Sequence, residues 1–150
     1  MITIISGTNR LNSNTKKIAL QYSKLLKEKQ QDCQLLSLDE VSVFQKDEAF
    51  KAMEEKFFHN VEKIIILMPE YNGSYPGILK MLFDNSDIKK SFWYKKVLLT
   101  GISSGRAGNL RGMDHFTGVL LYLKMTVHFN RLPISSVESL LDKNNEIKDV

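Results

Sequence analysis

Three short stretches hold most of the residues able to bind a ligand. The first, Ser6-Gly7-Thr8-Asn9-Arg10-Leu11-Asn12-Ser13-Asn14-Thr15, runs into a helical pattern. Thr8, Ser13 and Thr15 offer hydroxyls and Arg10 a charge-assisted pair. The helix start adds unpaired amides and about half a positive charge. That chemistry suits a phosphate; the alternative is a plain helix cap, which needs only Ser13 or Asn14. The glycines and lysine of a P-loop, and the glycines of a GxGxxG turn, are absent. The second stretch, Pro69-Glu70-Tyr71-Asn72-Gly73-Ser74-Tyr75-Pro76-Gly77, combines two aromatics, an amide and close glycines. It suits a flat heterocycle held by main-chain hydrogen bonds, or simply a packed turn. The third, Ser103-Ser104-Gly105-Arg106-Ala107-Gly108-Asn109-Leu110-Arg111-Gly112, is a second polar cradle before a helix.

Other reactive residue types carry less. His59, His115 and His128 lack metal-ligand spacing, and Cys33 has no CxxC partner. Glu70 has the chemistry of a catalytic acid, but a positional role fits its place in a turn better. Trp93 and Tyr94 read as core or interface aromatics, with stacking near a flat ligand as the alternative. Arg106 and Arg111 are candidates for a nucleotide phosphate, or plain solvent-facing charges.

The elements that must position these stretches alternate in type. Ile2 to Ser6, Gln34 to Leu38, Lys63 to Met68, Val97 to Gly101 and Thr126 to Phe129 read as strands. Lys63 to Met68 (KIIILM) is apolar without a break, as in a strand covered on both faces. Between them lie helices over Thr15 to Lys29, Glu48 to Asn60, Gly77 to about Asp87 and Leu110 to Lys124. Ile18, Tyr22, Leu25 and Leu26 mark the buried face of the first, and Met113, Phe116, Leu120 and Leu123 that of the last. Alternation of this kind predicts a parallel sheet with helices on both faces and a ligand crevice beyond the strands' carboxyl ends. Seven of the eight glycines follow the carboxyl ends of three predicted strands. The polar LDKNNEIKDV tail reads as frayed.

Taken together, the three stretches resemble signatures of the flavodoxin-like NAD(P)H-dependent FMN reductases, relatives of azo-dye, quinone and chromate reductases. Gly7 to Thr15 is similar to that family's Gly-Ser-x-Arg-x-x-Ser-x-Asn/Thr loop. Pro69 to Lys80 matches its PEYNGSYPGxLK segment. Ser104 to Arg111 is a weakened form of its Ser-Ala-Gly-x-x-Gly-Gly-x-Arg loop. The resemblance implies a three-layer α/β sandwich with a five-stranded parallel sheet in one domain over residues 1–150. It implies an FMN phosphate held by Thr8, Arg10, Ser13, Asn14 and Thr15. Pro69, Glu70, Tyr71, Asn72 and Gly73 would line the ribityl chain and ring edge, and Ser104, Gly105 and Gly108 the pyrimidine end. NADPH or NADH would be co-substrate and a small molecule the electron acceptor, with the protein a homodimer or homotetramer. No catalytic side chain is needed, because the flavin carries the chemistry. Asn109 departs from the pattern by standing where a second glycine is usual. The family's last helix has no counterpart before Val150, where only a polar tail remains, so either a partner subunit covers one sheet face or the domain is marginal. Two further readings stay open: an FMN electron carrier without direct NAD(P)H reactivity, and a family member that has lost its flavin.

Composition sets the remaining bounds. The 150 residues include 43% hydrophobic and 25% charged types, a globular balance for one ordinary domain. A single cysteine excludes an intrachain disulfide and a multi-cysteine zinc site. The net charge of +4 favours anionic ligands, but the lysines are scattered among acids, so no nucleic-acid partner is expected. The strand-like N-terminus lacks a signal-peptide pattern and no run spans a bilayer, which points to the cytoplasm without a membrane partner.

Overall fold

The computed structural model describes residues 1–148. Strand β1 (Ile2–Ser6) is followed by α1 (Asn14–Glu28), β2 (Cys33–Ser37), α2 (Glu48–Glu54) and a π-helical turn (Glu55–His59). Then come β3 (Lys63–Pro69), α3 (Gly77–Asn85), α4 (Ile88–Ser91), β4 (Lys96–Ile102), α5 (Leu110–Tyr122), β5 (Thr126–Val127), β6 (Leu132–Ile134) and α6 (Val137–Leu140). All strand pairings are parallel, in the order β2-β1-β3-β4-β5. The chain leaves β1 toward β2 and returns to β3 on the other side. The loops after β1 and β3 therefore flank the point where strand order reverses, and ligands of open α/β sheets bind there.

Period-two alternation divides the core. On β3, Ile64, Ile66 and Met68 join the larger cluster with Phe50, Phe83, Phe92 and Phe116 of the covering helices. Ile65 and Leu67 face the other way, toward Ile18 and Ala19 of α1. A strand with a helix layer on both sides must be apolar throughout, and that accounts for KIIILM. On α1 the sheet-facing row is Ile18, Tyr22 and Leu26, whereas Leu25, expected inward, is 51% exposed. Ser13 caps α1 by accepting the Lys16 amide at 3.1 Å. Lys16 in turn pins the helix to the segment after β2, with Nζ 2.9 Å from Asp39 and 2.6 Å from Glu40.

The C-terminal segment departs from expectation. The fifth sheet position is shared by two pieces: β5 pairs the start of β4, and β6 pairs its end. The sheet face expected to need a partner's cover is covered by the chain itself. Val137, Leu140 and Leu141 pack into the α1-side cluster. The tail is also fastened to α1 rather than frayed. Gln21 donates to the Asn145 carbonyl at 2.8 Å and accepts the Ile147 amide at 3.0 Å, and Lys24 pairs with Glu146. Residues 149–150 of that tail lie outside the described residues. No helix is long and apolar enough to cross a membrane among those described.

Candidate functional site

The first loop leaves β1 and reaches the start of α1 through an exposed turn at Asn9 to Asn12. Ser13 occupies the cap position. The α1 amides ahead of Lys16 have no partner inside the helix, as at any helix start. Thr15 is buried beside them. Thr8 is 1% exposed, and its hydroxyl accepts the Arg10 amide at 3.2 Å. The Arg10 side chain is exposed.

The second loop is a tight hairpin. Tyr71 and Ser74 exchange backbone hydrogen bonds of 2.9 and 3.1 Å, with Asn72 (φ 52°) and Gly73 (φ 74°) at the tip. Two successive positive φ values define a type I′ turn, which Asn-Gly forms with little strain. Arg111 of α5 packs over Gly73, and the same helix reaches Ser74 through His115 Nδ1 at 2.9 Å. Below the tip, Tyr75 packs on Phe116 of α5 with ring centroids 4.8 Å apart.

The third loop is built from the β4 end and tied to the C-terminal segment. Ser103 Oγ accepts the Gly108 amide at 2.9 Å and donates to the Gly105 carbonyl at 2.8 Å. The Ser136 amide also donates to Gly105, and the Val137 amide to Ser103. Gly108 (φ +55°) lies so close to β6 that a β-carbon there would stand 2.6 Å from Pro133. Its lack of a side chain serves this packing. Among the described residues the amides of Ser104, Gly105, Arg106 and Ala107 donate to nothing in the protein. Asn109 adopts φ 58° at the α5 start and is fully buried. Its Nδ2 donates to the carbonyls of Met68 and Pro69 at 3.2 and 2.9 Å, binding the third loop to the second. The residue that stands in for a family glycine is therefore a clamp between loops.

One cavity of about 290 Å³ joins the three loops. It brings together Arg10, Ser13, Asn14, Thr15, Pro69, Glu70, Tyr71 and Ser104 of the sequence-predicted set. Thr8 sits behind its wall, Asn72 and Gly73 at the exposed hairpin tip, Gly105 on the exposed rim and Gly108 against β6. Leu11, Asn12, Ile102, Ser103, Val137 and Glu138 also line it. Leu11, Asn12 and Ser103 lie inside the stretches already singled out. Val137 and Glu138 carried no signal, because only the fold of the C-terminal segment brings them there. Trp93 lies away from this cavity, near the start of β4, where it lines another with His59 and Lys95.

Burial pushes the Asp39 carboxyl up, but hydrogen bonds from Lys16 and Ser37 outweigh it and hold the group below the usual range. The same Asp39 bond, with Glu40, raises Lys16. This pair secures α1, and with it the loop that ends at the helix start. The donor set fits an organic phosphate attached to a polar ring. Arg10, the hydroxyls of Ser13 and Thr15 and the α1 start line the cavity together with Ser104, whose amide donates to nothing among the described residues.

Comparison with known proteins bears on the fold and the family. FerB, a flavoenzyme NAD(P)H:(acceptor) oxidoreductase from Paracoccus denitrificans, shares the fold at a TM-score of 0.82. That match has 19% identity and covers 99% of this chain and 86% of FerB. An archaeal flavodoxin superimposes at 0.63, with 14% identity over 93% of this chain and 90% of its own. In sequence, a 2-hydroxy-1,4-benzoquinone reductase from a Burkholderia species is 32% identical over 92 residues. The match covers 59% of this chain and 50% of that protein, so the chain spans about half the length of the curated relative it matches. The family description "NADPH-dependent FMN reductase" fits residues 1–138, from β1 through the start of α6 and thus all three loops. By that match the chain belongs to the NADPH-dependent FMN reductase family.

Proposed function

We propose that this chain binds FMN non-covalently in the crevice between its three loops, accepts a hydride from NADPH or NADH, and passes electrons to a small-molecule acceptor. The observation that carries the reading is the single cavity joining Arg10, Ser13 and Thr15 at the α1 start to Pro69–Tyr71 and Ser104. Arg10, Asn14, Thr15 and the first α1 amides would hold the phosphate, with Ser13 capping the helix and Thr8 bracing the loop. Pro69, Glu70 and Tyr71 would line the middle of the ligand, with Asn72 and Gly73 forming the turn that shapes the rim. Ser104 and Gly105 would donate to the polar edge of the ring, while Gly108 lets the third loop close onto β6. When bound, FMN supplies the hydride-accepting and electron-donating chemistry. The protein's part is placement and preorganised donors, so no side chain is assigned a proton-transfer role.

The acceptor class spans flavins, quinones, azo compounds and metal oxyanions. A quinone is the first to try, since the Burkholderia relative is named for reducing one. The protein works as a homodimer or homotetramer in the cytoplasm, without nucleic-acid or membrane partners. Its α5 surface supports self-association, with Leu121 and Tyr122 58% and 84% exposed. Sedimentation of the purified chain is expected to give a dimer or tetramer; a monomer at micromolar concentration contradicts that part. Activity is tested by following NADPH oxidation with a benzoquinone acceptor, with and without added FMN. Turnover that requires both supports the reading. Bound FMN that turns over only with a separate reductase makes the chain a carrier instead.

A further inference from the structure

Tyr71 belongs to the second loop, yet both of its side-chain connections run to the first. Its hydroxyl lies 2.5 Å from Thr8 Oγ1, and the Arg10 guanidinium carbon lies 4.0 Å over its ring centroid. Thr8 also accepts the Arg10 amide, so one buried hydroxyl fixes both the turn that carries Arg10 and the ring beneath its side chain. The ring's own backbone is held by the Tyr71–Ser74 hairpin, whose Ser74 is bonded to His115 of α5. Among the described residues Arg10 forms no ion pair with a carboxylate. A long, exposed arginine without such a partner samples many rotamers, and a fixed aromatic face removes much of that freedom.

We propose that Tyr71 is a positioning residue that seats Arg10 at the cavity wall, so that phosphate recognition by the first loop depends on a side chain of the second. This rests on reading the cavity as the FMN site. The two possible roles of Tyr71 have separable effects. A contact with the flavin ring strengthens FMN and riboflavin alike, because riboflavin is FMN without its phosphate. A seat for Arg10 strengthens FMN alone.

The test is titration of the flavin-free full chain with FMN and with riboflavin, read by flavin fluorescence. It compares wild type, Arg10→Ala, Tyr71→Leu, Tyr71→Phe and the Arg10→Ala/Tyr71→Leu double variant. The ratio of FMN to riboflavin affinity is expected to fall by about tenfold or more in Arg10→Ala, the loss of a charge-assisted bond. Tyr71→Leu should lower it by a similar factor, and the double variant no further, because the two side chains act as one unit. Tyr71→Phe, which keeps the ring face, should retain more of the ratio than Tyr71→Leu. Tyr71→Gln, a second ringless side chain, gives the same reading should the leucine variant not fold. The inference is overturned if loss of the ring weakens both flavins equally, or if the double variant falls by the product of the two single factors. A wild-type chain that binds neither flavin overturns the FMN reading and this inference with it. Normal wild-type FMN binding with an unchanged ratio in Tyr71→Leu overturns the inference alone.

Discussion

At the scale of single residues, the site is held together by side chains that bridge loops distant in sequence. Asn109 is the clearest case. Its two donations reach carbonyls at the β3 end, while its own backbone takes a left-handed conformation that asparagine tolerates better than alanine. Asn109→Ala loses both bonds, leaves two carbonyls short of a donor and adds backbone strain. The expected cost is about 1–3 kcal/mol in chemical denaturation, together with weaker FMN binding as the second and third loops separate. An unchanged unfolding midpoint would show that the clamp contributes nothing. The sequence exposed Asn109 as a departure from a glycine pattern. It could not show the clamp, because the partner carbonyls lie 41 and 40 residues away. The Thr8–Tyr71 contact, 63 residues apart, is hidden for the same reason. What was legible was local: a helix cap at Ser13 or Asn14, a packed turn in the second stretch and a hydroxyl-rich helix entrance.

At the scale of elements, two connections transmit core stability to the loops. The first is the Lys16 pair with Asp39, which fixes α1 against the β2 exit. Asp39 titrates below its ordinary 3.8 in the folded chain, so its contribution is present above about pH 4 and fades as pH falls through the folded value. Lys16 titrates above its ordinary 10.5, so its contribution is intact below that pH and lost as pH rises through the folded value. In thermal melts, Asp39→Asn should therefore lower Tm from about pH 5 to 9, with the gap to wild type closing in stronger acid. A gap independent of pH would contradict the charge argument. The second connection is Phe116, fully buried between Phe83 and Tyr75. Phe116→Ala should cost about 3–5 kcal/mol and loosen the second loop, which amide exchange around Tyr71 to Tyr75 would register as faster opening. The long strands and helices were readable because nine or more periodic residues, or an unbroken apolar run, leave little choice of element. The π-helical turn, α4, β6 and α6 span three to five residues each, too few for a period, and are set by contacts with distant parts of the chain. The lack of cover inferred from the family's absent last helix was misread for this reason. Val137, Leu140 and Leu141 are few, but the cluster around Ile18 places them.

At the scale of the whole molecule, sheet order does what no single motif does: it brings three separate loops to one end and one cavity. The fold class was legible because strand and helix patterns alternate along the chain, and a parallel sheet follows from that alternation. The C-terminal side of the cavity was not, since Val137 and Glu138 reach it only after β6 has paired with β4. The central claim is that this arrangement binds FMN and receives reducing equivalents directly from a nicotinamide. The measurement that tests it most directly is an absorption spectrum of the purified chain with FMN, before and after anaerobic addition of NADPH. The account predicts a protein-bound flavin spectrum that bleaches on addition, with no other protein present. A bound flavin that stays oxidised, or a chain that leaves added FMN free in solution, would contradict it.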